Sequence, residues 1–196
     1  MNDPSRGVAL VTGAGRGLGG EIAISLARAG LDVVLHFHTS GAGAEAVAER
    51  IRMLGRSARV VRADLTIAAE VDGLRREVES GFGRLDVLVN NAGVYLGKHG
   101  VELSEAEWHE GLDTTVTQTF LTTRAMLELL SASGRGRIIS FGDSGADRPG
   151  ARDLAWSYHI GKTGVWILTR SFAAEEAVYG VTVNMVSPGF LENSVG

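Results

Sequence analysis

The 196-residue sequence contains no cysteine. That excludes disulfides, thiolate zinc sites and a cysteine nucleophile together, and leaves the redox compartment open. Only 3 prolines interrupt the chain, and no apolar run approaches the ~18 residues of a membrane span. The opening Met1-Asn-Asp-Pro-Ser-Arg-Gly7 has no apolar signal region, so the expected location is the cytoplasm. Lys and Arg cluster nowhere and the formal net charge is −4, which argues against a nucleic-acid or anionic membrane surface. Two motif fragments also fail. His109-Glu110 begins an H-E-x-x-H string that Asp113 breaks, and Gly161-Lys-Thr163 has Trp156 where a P-loop requires glycine. Neither a metal site nor an NTPase is expected.

What the chain does have is ordinary soluble-protein composition, 44% apolar and 21% charged, in a length that fits one domain with an ample core. Short Val/Ile/Leu-rich runs at Val8–Val11, Asp32–Phe37, Arg59–Arg62, Leu85–Val89, Arg137–Phe141 and Val181–Val186 predict six strands. Between them, helical periodicity predicts helices over Leu18–Ala29, Gly43–Leu54, Ala68–Ser80, Ser104–Leu130 and Leu154–Tyr179. Alternating strands and helices imply a parallel sheet with helices on both faces, a doubly wound three-layer α/β/α domain of Rossmann type.

Directly after the first strand comes Thr12-Gly-Ala-Gly-Arg-Gly-Leu-Gly19, and a helix opens within it. Bare backbone there can approach a pyrophosphate while helix-terminal amides point at it. A dinucleotide fingerprint places an acidic residue about 20 residues on, to bind ribose hydroxyls of NAD. Here the second strand ends in His38-Thr39-Ser40 with no carboxylate at its tip. With Arg16 in the glycine turn, this favours NADP(H) over NAD(H), since nothing at the tip repels a 2′-phosphate. Arg16 also fits a solvated surface residue, and His36 and His38 fit packing or solvent roles.

Tyr158 and Lys162 form a Y-x-x-x-K pair within Trp156–Val165. On a helix this spacing stacks both side chains on one face. An ammonium within a few Å lowers a phenol pKa from ~10 by roughly 1–3 units, so Tyr158 is expected to exchange a proton near neutral pH.

Taken together, the glycine turn, Asn90-Asn-Ala-Gly93 after the fourth strand, Tyr158-x-x-x-Lys162, and Ser187-Pro-Gly189 after the sixth resemble the short-chain dehydrogenase/reductase family. The motifs stand in the family's order over nearly the whole chain, and the nearest resemblance within it is to 3-oxoacyl-acyl-carrier-protein reductases. The resemblance implies hydride transfer between a nicotinamide and a carbonyl or alcohol carbon. Tyr158 would supply the proton, while Lys162 would lower its pKa and bind the nicotinamide ribose. It also implies a cofactor held by Gly13, Arg16, Gly17, Leu18 and Gly19 in the turn, and by His38, Thr39 and Ser40 at the second strand tip. Asp64 and Leu65 would lie beside the adenine, and Asn90, Ala92, Gly93, Pro188 and Gly189 would complete the contacts. Asp64 has a plainer reading as a turn cap. The implied partners are a small carbonyl or acyl-thioester substrate and further copies of the chain, as a homotetramer. The Tyr-bearing helix, apolar nearly all round, is expected to be buried on both sides.

Four departures from the family pattern stand out. The usual Ser after the fifth strand is replaced by Asp143, followed by Ser144, in a loop about two residues longer than usual. Three readings stand: Asp143 orients or protonates substrate, as in pteridine reductases; Ser144 takes the Ser role; or Asp143 only caps a turn. Where the family carries an Asn that relays protons to Lys, this chain has Thr115. Asn193 stands where a Thr usually binds the carboxamide. The sequence stops at Gly196, whereas family members continue through a substrate-covering loop to a final strand. The first function is therefore an NADP(H)-dependent carbonyl reductase or alcohol dehydrogenase, with a pteridine-reductase-like enzyme as its variant. The second is a dinucleotide-binding sensor or scaffold that has lost catalysis.

Overall fold

The computed structural model describes residues 6–148 and 150–189. Six parallel strands form one sheet in the order β3-β2-β1-β4-β5-β6. They are β1 (Val8–Val11), β2 (Asp32–Phe37), β3 (Ala58–Arg62), β4 (Val87–Asn90), β5 (Arg137–Phe141) and β6 (Thr182–Val186). Around them lie α1 (Gly17–Arg28), α2 (Gly41–Met53), α3 (Ala68–Phe82), α4 (Glu105–Leu112), α5 (Gln118–Ala132) and α6 (Trp156–Glu176).

Alternation along each strand divides the core into two layers. Val8 and Leu10 of β1 face α3 and α5 through Val71, Leu74, Val78, Met126 and Leu130. Val11, Val33, Leu35 and Val89 face α1 and α2 through Ala23, Ile24, Val47 and Ile51. The fully buried strands thus read as continuous apolar runs, as a sheet covered on both faces requires. Strand order reverses between β1 and β4, and an open α/β sheet forms its binding crevice at that switch point, outside the carboxyl ends of the strands.

The sheet follows the predicted strands closely, with β4 displaced to end at Asn90. The predicted helix Ser104–Leu130 is a different object. Ser104 and Glu107 form a reciprocal capping box that starts α4, but a π-helical turn, Asp113–Thr117, separates α4 from α5. The cause is a cluster of hydroxyls: Thr114, Thr115 and Thr119 donate to the carbonyls of Glu110, Gly111 and Thr115, each four residues back. Such back-bonding competes with the helical ladder and widens it. The C-terminal helix is shorter than predicted, running Trp156–Glu176 with a 3-10 turn over Ala177–Tyr179. One side of α6 packs on the π turn, α4 and β6, whereas Ile160 and Ile167 on the other are 52% and 54% exposed.

Candidate active site

A groove of about 620 Å³ opens at the carboxyl ends of β1, β2, β3 and β4. The glycine turn forms one wall. Gly13 adopts φ +64°, a left-handed conformation that favours glycine. A Cβ on Gly19 would stand 2.4 Å from the Gly13 carbonyl oxygen, so only glycine lets α1 begin this close beneath the turn. The first amides of α1, with no intrahelical acceptor, point into the groove with the positive end of the helix.

The expected residues divide into those that line this groove and those that do not. Gly13, Arg16, Gly17, Leu18, Gly19, His38, Thr39, Ser40, Asp64, Leu65, Ala92 and Gly93 all line it. Asp64 fulfils its plainer reading as well, accepting from the Thr66 amide at 2.9 Å and the Thr66 hydroxyl at 2.7 Å, and these bonds hold its carboxyl below the usual range. Asn90 does not line the groove. Its side chain is 5% exposed and donates to the Thr123 hydroxyl at 2.9 Å, bracing β4 against α5. The neighbouring Asn91 takes the groove position: its amide side chain donates to the Thr12 carbonyl at 2.9 Å, while the Thr12 hydroxyl accepts from the Asn91 and Ala92 backbones. Strand alternation explains the exchange, since the first Asn still belongs to β4 and faces the helix layer. Pro188 and Gly189 follow β6 and are not among the groove's lining residues. Asn193 lies outside the described residues.

Tyr158 and Lys162 share one face of α6, with the ammonium 5.5 Å from the phenol ring centroid. Lys162 is 6% exposed and donates to the Phe141 carbonyl at 2.6 Å. Its Nζ and the Thr114 carbonyl lie 3.8 and 3.6 Å from where a Gly93 side chain would begin, so the ammonium sits just behind Gly93, which lines the groove while Lys162 and Tyr158 themselves do not. Burial pulls the Lys162 pKa down to about 8. Tyr158 moves opposite to expectation. Burial, then the charge of Asp143 and then Tyr95, push its pKa up to about 12. The nearby cation does not win because the phenol is itself desolvated and a carboxylate faces it.

Asp143 follows β5 by two residues and uses both oxygens. Oδ1 accepts from the Gly145 amide at 3.0 Å, and Oδ2 from His159 Nδ1 at 2.5 Å. His159, read from the sequence as surface or packing, thus belongs to the site, with its ring edge-on to Tyr158 at 5.4 Å. Tyr95 closes the cluster, edge-on to Tyr158 at 5.1 Å. Ser144 is exposed. Thr115 is 1% exposed and its hydroxyl donates to the Gly111 carbonyl at 2.6 Å, so the helix consumes the group expected to relay protons. The polar side chain at that place is Gln118, which donates to the Ala92 carbonyl at 2.7 Å and also to the Thr114 carbonyl. The one advance signal for His159 was adjacency to Tyr158; Gln118 gave none. Among the described residues no group of His, Cys, Asp and Glu is placed to hold a metal ion, and no helix is long and apolar enough to cross a membrane.

A glycine-walled crevice at the switch point, with a Tyr–Lys pair on the adjoining helix, matches a known family. The family model described as short chain dehydrogenase covers residues 7–195. The chain is a short-chain dehydrogenase/reductase. It is 40% identical over 184 residues to a 3-oxoacyl-acyl-carrier-protein reductase of Synechocystis sp., covering 94% of this chain and 74% of the relative. The corresponding Escherichia coli enzyme is 33% identical over 188 residues, covering 96% and 75%. Among solved structures, a putative short-chain alcohol dehydrogenase from Sinorhizobium meliloti superposes with a TM-score of 0.89 at 30% identity, covering 97% of this chain and 74% of that one. This dehydrogenase/reductase is accordingly an NAD(P)-dependent oxidoreductase. The residues present fit that cofactor: the helix-terminal amides of α1 for its phosphates, a glycine turn that Gly19 lets lie tight on that helix, and a buried ammonium just behind Gly93 at the groove's edge.

Proposed function

We propose that this enzyme is an NADP(H)-dependent carbonyl reductase of the 3-oxoacyl-thioester type, with Tyr158 as proton donor. The bound dinucleotide supplies the hydride. The carrying observation is the buried Lys162 ammonium, 5.5 Å from the Tyr158 ring centroid and 3.8 Å from where a Cβ on the groove-lining Gly93 would stand.

Each residue's contribution follows from its surroundings. Lys162 presents a desolvated positive charge where a ribose hydroxyl can accept from it. Tyr158, pushed up to about 12, stays protonated across the physiological range, so its O–H is available to an oxygen gaining negative charge. That favours the reductive direction. Asp143 orients His159 through Oδ2 and the Gly145 amide through Oδ1. The Thr114 carbonyl, held by Gln118 beside Lys162, offers an acceptor at the place where Thr115 was expected to relay protons.

The preference for NADP(H) is supported by Arg16 and His38, both exposed on the groove wall with Thr39 and Ser40 between them and α2. The Asp64 carboxylate faces His38 Nε2 at 3.9 Å. The exposed apolar side of α6 suits a second copy of the chain, supporting a homo-oligomer of tetramer type. The formal net charge of −4 argues against a nucleic-acid partner, and the reading is of a cytoplasmic enzyme.

The test is NADPH oxidation with a panel of 3-oxoacyl thioesters, diketones and pterins, for the wild type and Tyr158→Phe. Turnover of a 3-oxoacyl thioester that Tyr158→Phe abolishes supports the proposal. NADPH binding without turnover on any panel member supports the sensor or scaffold reading instead. Preference for NADH, or a preference for NADPH unchanged by Arg16→Leu together with His38→Asp, refutes the cofactor assignment.

A further inference from the structure

The glycine turn is held by a buried residue that the proposed chemistry does not use. His36, in β2, is 2% exposed. Its Nδ1 accepts from the Gly13 amide at 3.2 Å, and its Nε2 donates to the Ala63 carbonyl at 3.0 Å. An amide can only donate and a carbonyl only accept, so these partners fix the neutral tautomer with its proton on Nε2. Burial agrees, drawing the pKa down to about 4 and keeping the ring uncharged at neutral pH. The same residue's backbone carbonyl accepts from the Ala14 amide at 2.9 Å.

Two consequences follow for the groove. The Gly13 and Ala14 amides of the glycine turn both donate to His36, which itself lines the groove, and this leaves anion binding to the amides at the start of α1. The imidazole also spans β2 from the turn after β1 to the residue after β3. Ala63 leads into Asp64, Leu65 and Thr66, which form the opposite wall. One side chain therefore sets both the direction of the turn and its distance from the adenine side.

We propose that His36 is a positioning residue for the dinucleotide, acting through its Nδ1 bond to Gly13. The inference rests on the reading of the groove as the NAD(P) site. It predicts an effect on cofactor affinity and not on the chemical step at saturation, because His36 touches no reacting atom.

The test compares the wild type with His36→Leu, His36→Asn and His36→Gln. NADPH affinity is read by fluorescence titration, together with kcat at saturating NADPH and thermal unfolding without cofactor. The Asn side-chain oxygen reaches the place of Nδ1, and the Gln side-chain nitrogen that of Nε2, so the two variants separate the two bonds. The Leu variant should bind NADPH about tenfold more weakly, the worth of one buried hydrogen bond, with Asn returning to within about threefold of wild type. Values of kcat at saturation should stay near wild type. A folded Leu variant binding within about twofold of wild type overturns the proposal, on the same scale of one hydrogen bond. So does an Asn variant as weak as Leu. If the Leu variant does not fold, tighter binding by Asn than by Gln supports the proposal, and the reverse or equality overturns it. A wild-type protein that binds neither NADPH nor NADH overturns the groove assignment and this inference together. Wild-type binding that all three variants share overturns this inference alone.

Discussion

Replacing Lys162 by Met should make the protein more stable while destroying its activity. The ammonium is 6% exposed, and its single hydrogen bond among the described residues goes to the Phe141 carbonyl. Burial depresses its pKa from 10.5 to about 8 even though Asp143 opposes the shift. At ~1.36 kcal/mol per pH unit, holding that charge inside the fold at neutral pH costs on the order of 3 kcal/mol. Met has similar length and no charge, and losing the bond to Phe141 returns ~1 kcal/mol of the gain. The net is ~2 kcal/mol, or a rise in Tm of roughly 4–8 °C for a domain of this size. The sign with pH is definite. A lysine whose folded pKa is depressed destabilises fully below about 8, and the penalty fades as pH rises from there toward 10.5. The assay is thermal unfolding of wild type and Lys162→Met without cofactor at pH near 7 and near 10. A variant less stable than wild type at neutral pH, or an advantage equal at both pH values, refutes the burial argument.

Three further outcomes are expected. Tyr158→Phe should lower carbonyl reduction by roughly 100- to 10,000-fold, the usual contribution of a general acid, while leaving NADPH affinity within about threefold; steady-state kinetics with a cofactor titration checks both. Reduction should hold constant from neutral pH to about 8 and then fall as Lys162 loses its proton, since Tyr158 titrates only near 12; in Lys162→Arg the descending limb should vanish from the accessible range because guanidinium stays charged. Gly161→Ala would set a methyl 1.8 Å from the Thr115 hydroxyl, so it should destabilise by roughly 1–3 kcal/mol, with Thr115→Ala in the same chain restoring part of the loss by denaturant unfolding.

Much of the site was legible because its physics is local. A run such as Val8–Val11 is apolar on both faces and must be a covered strand, and a glycine turn ahead of a helix marks an anion site wherever it folds. The four-residue spacing alone puts Tyr158 and Lys162 on one helical face. Where the reading went astray, the deciding neighbour was distant in sequence. Asn90 and Asn91 differ only in which side of the sheet the end of β4 presents. Thr115 loses its relay role to carbonyls of its own widened turn, a conformation that periodicity alone treats as ordinary helix.

The sequence by itself determined the six strands of a parallel α/β sheet, the place of the glycine turn and the pairing of Tyr158 with Lys162 on one helical face, since burial pattern and spacing follow from residue types along the chain. Tertiary structure decided how each polar group is spent and charged. Tyr158 is raised to about 12 rather than lowered because burial and Asp143, 15 residues away in the chain, outweigh the lysine beside it. His36 clasps Gly13 and Ala63 because β2 lies between their strands in the sheet. Hydrogen-bond partners and desolvation depend on neighbours in space, and only the folded chain brings those neighbours together.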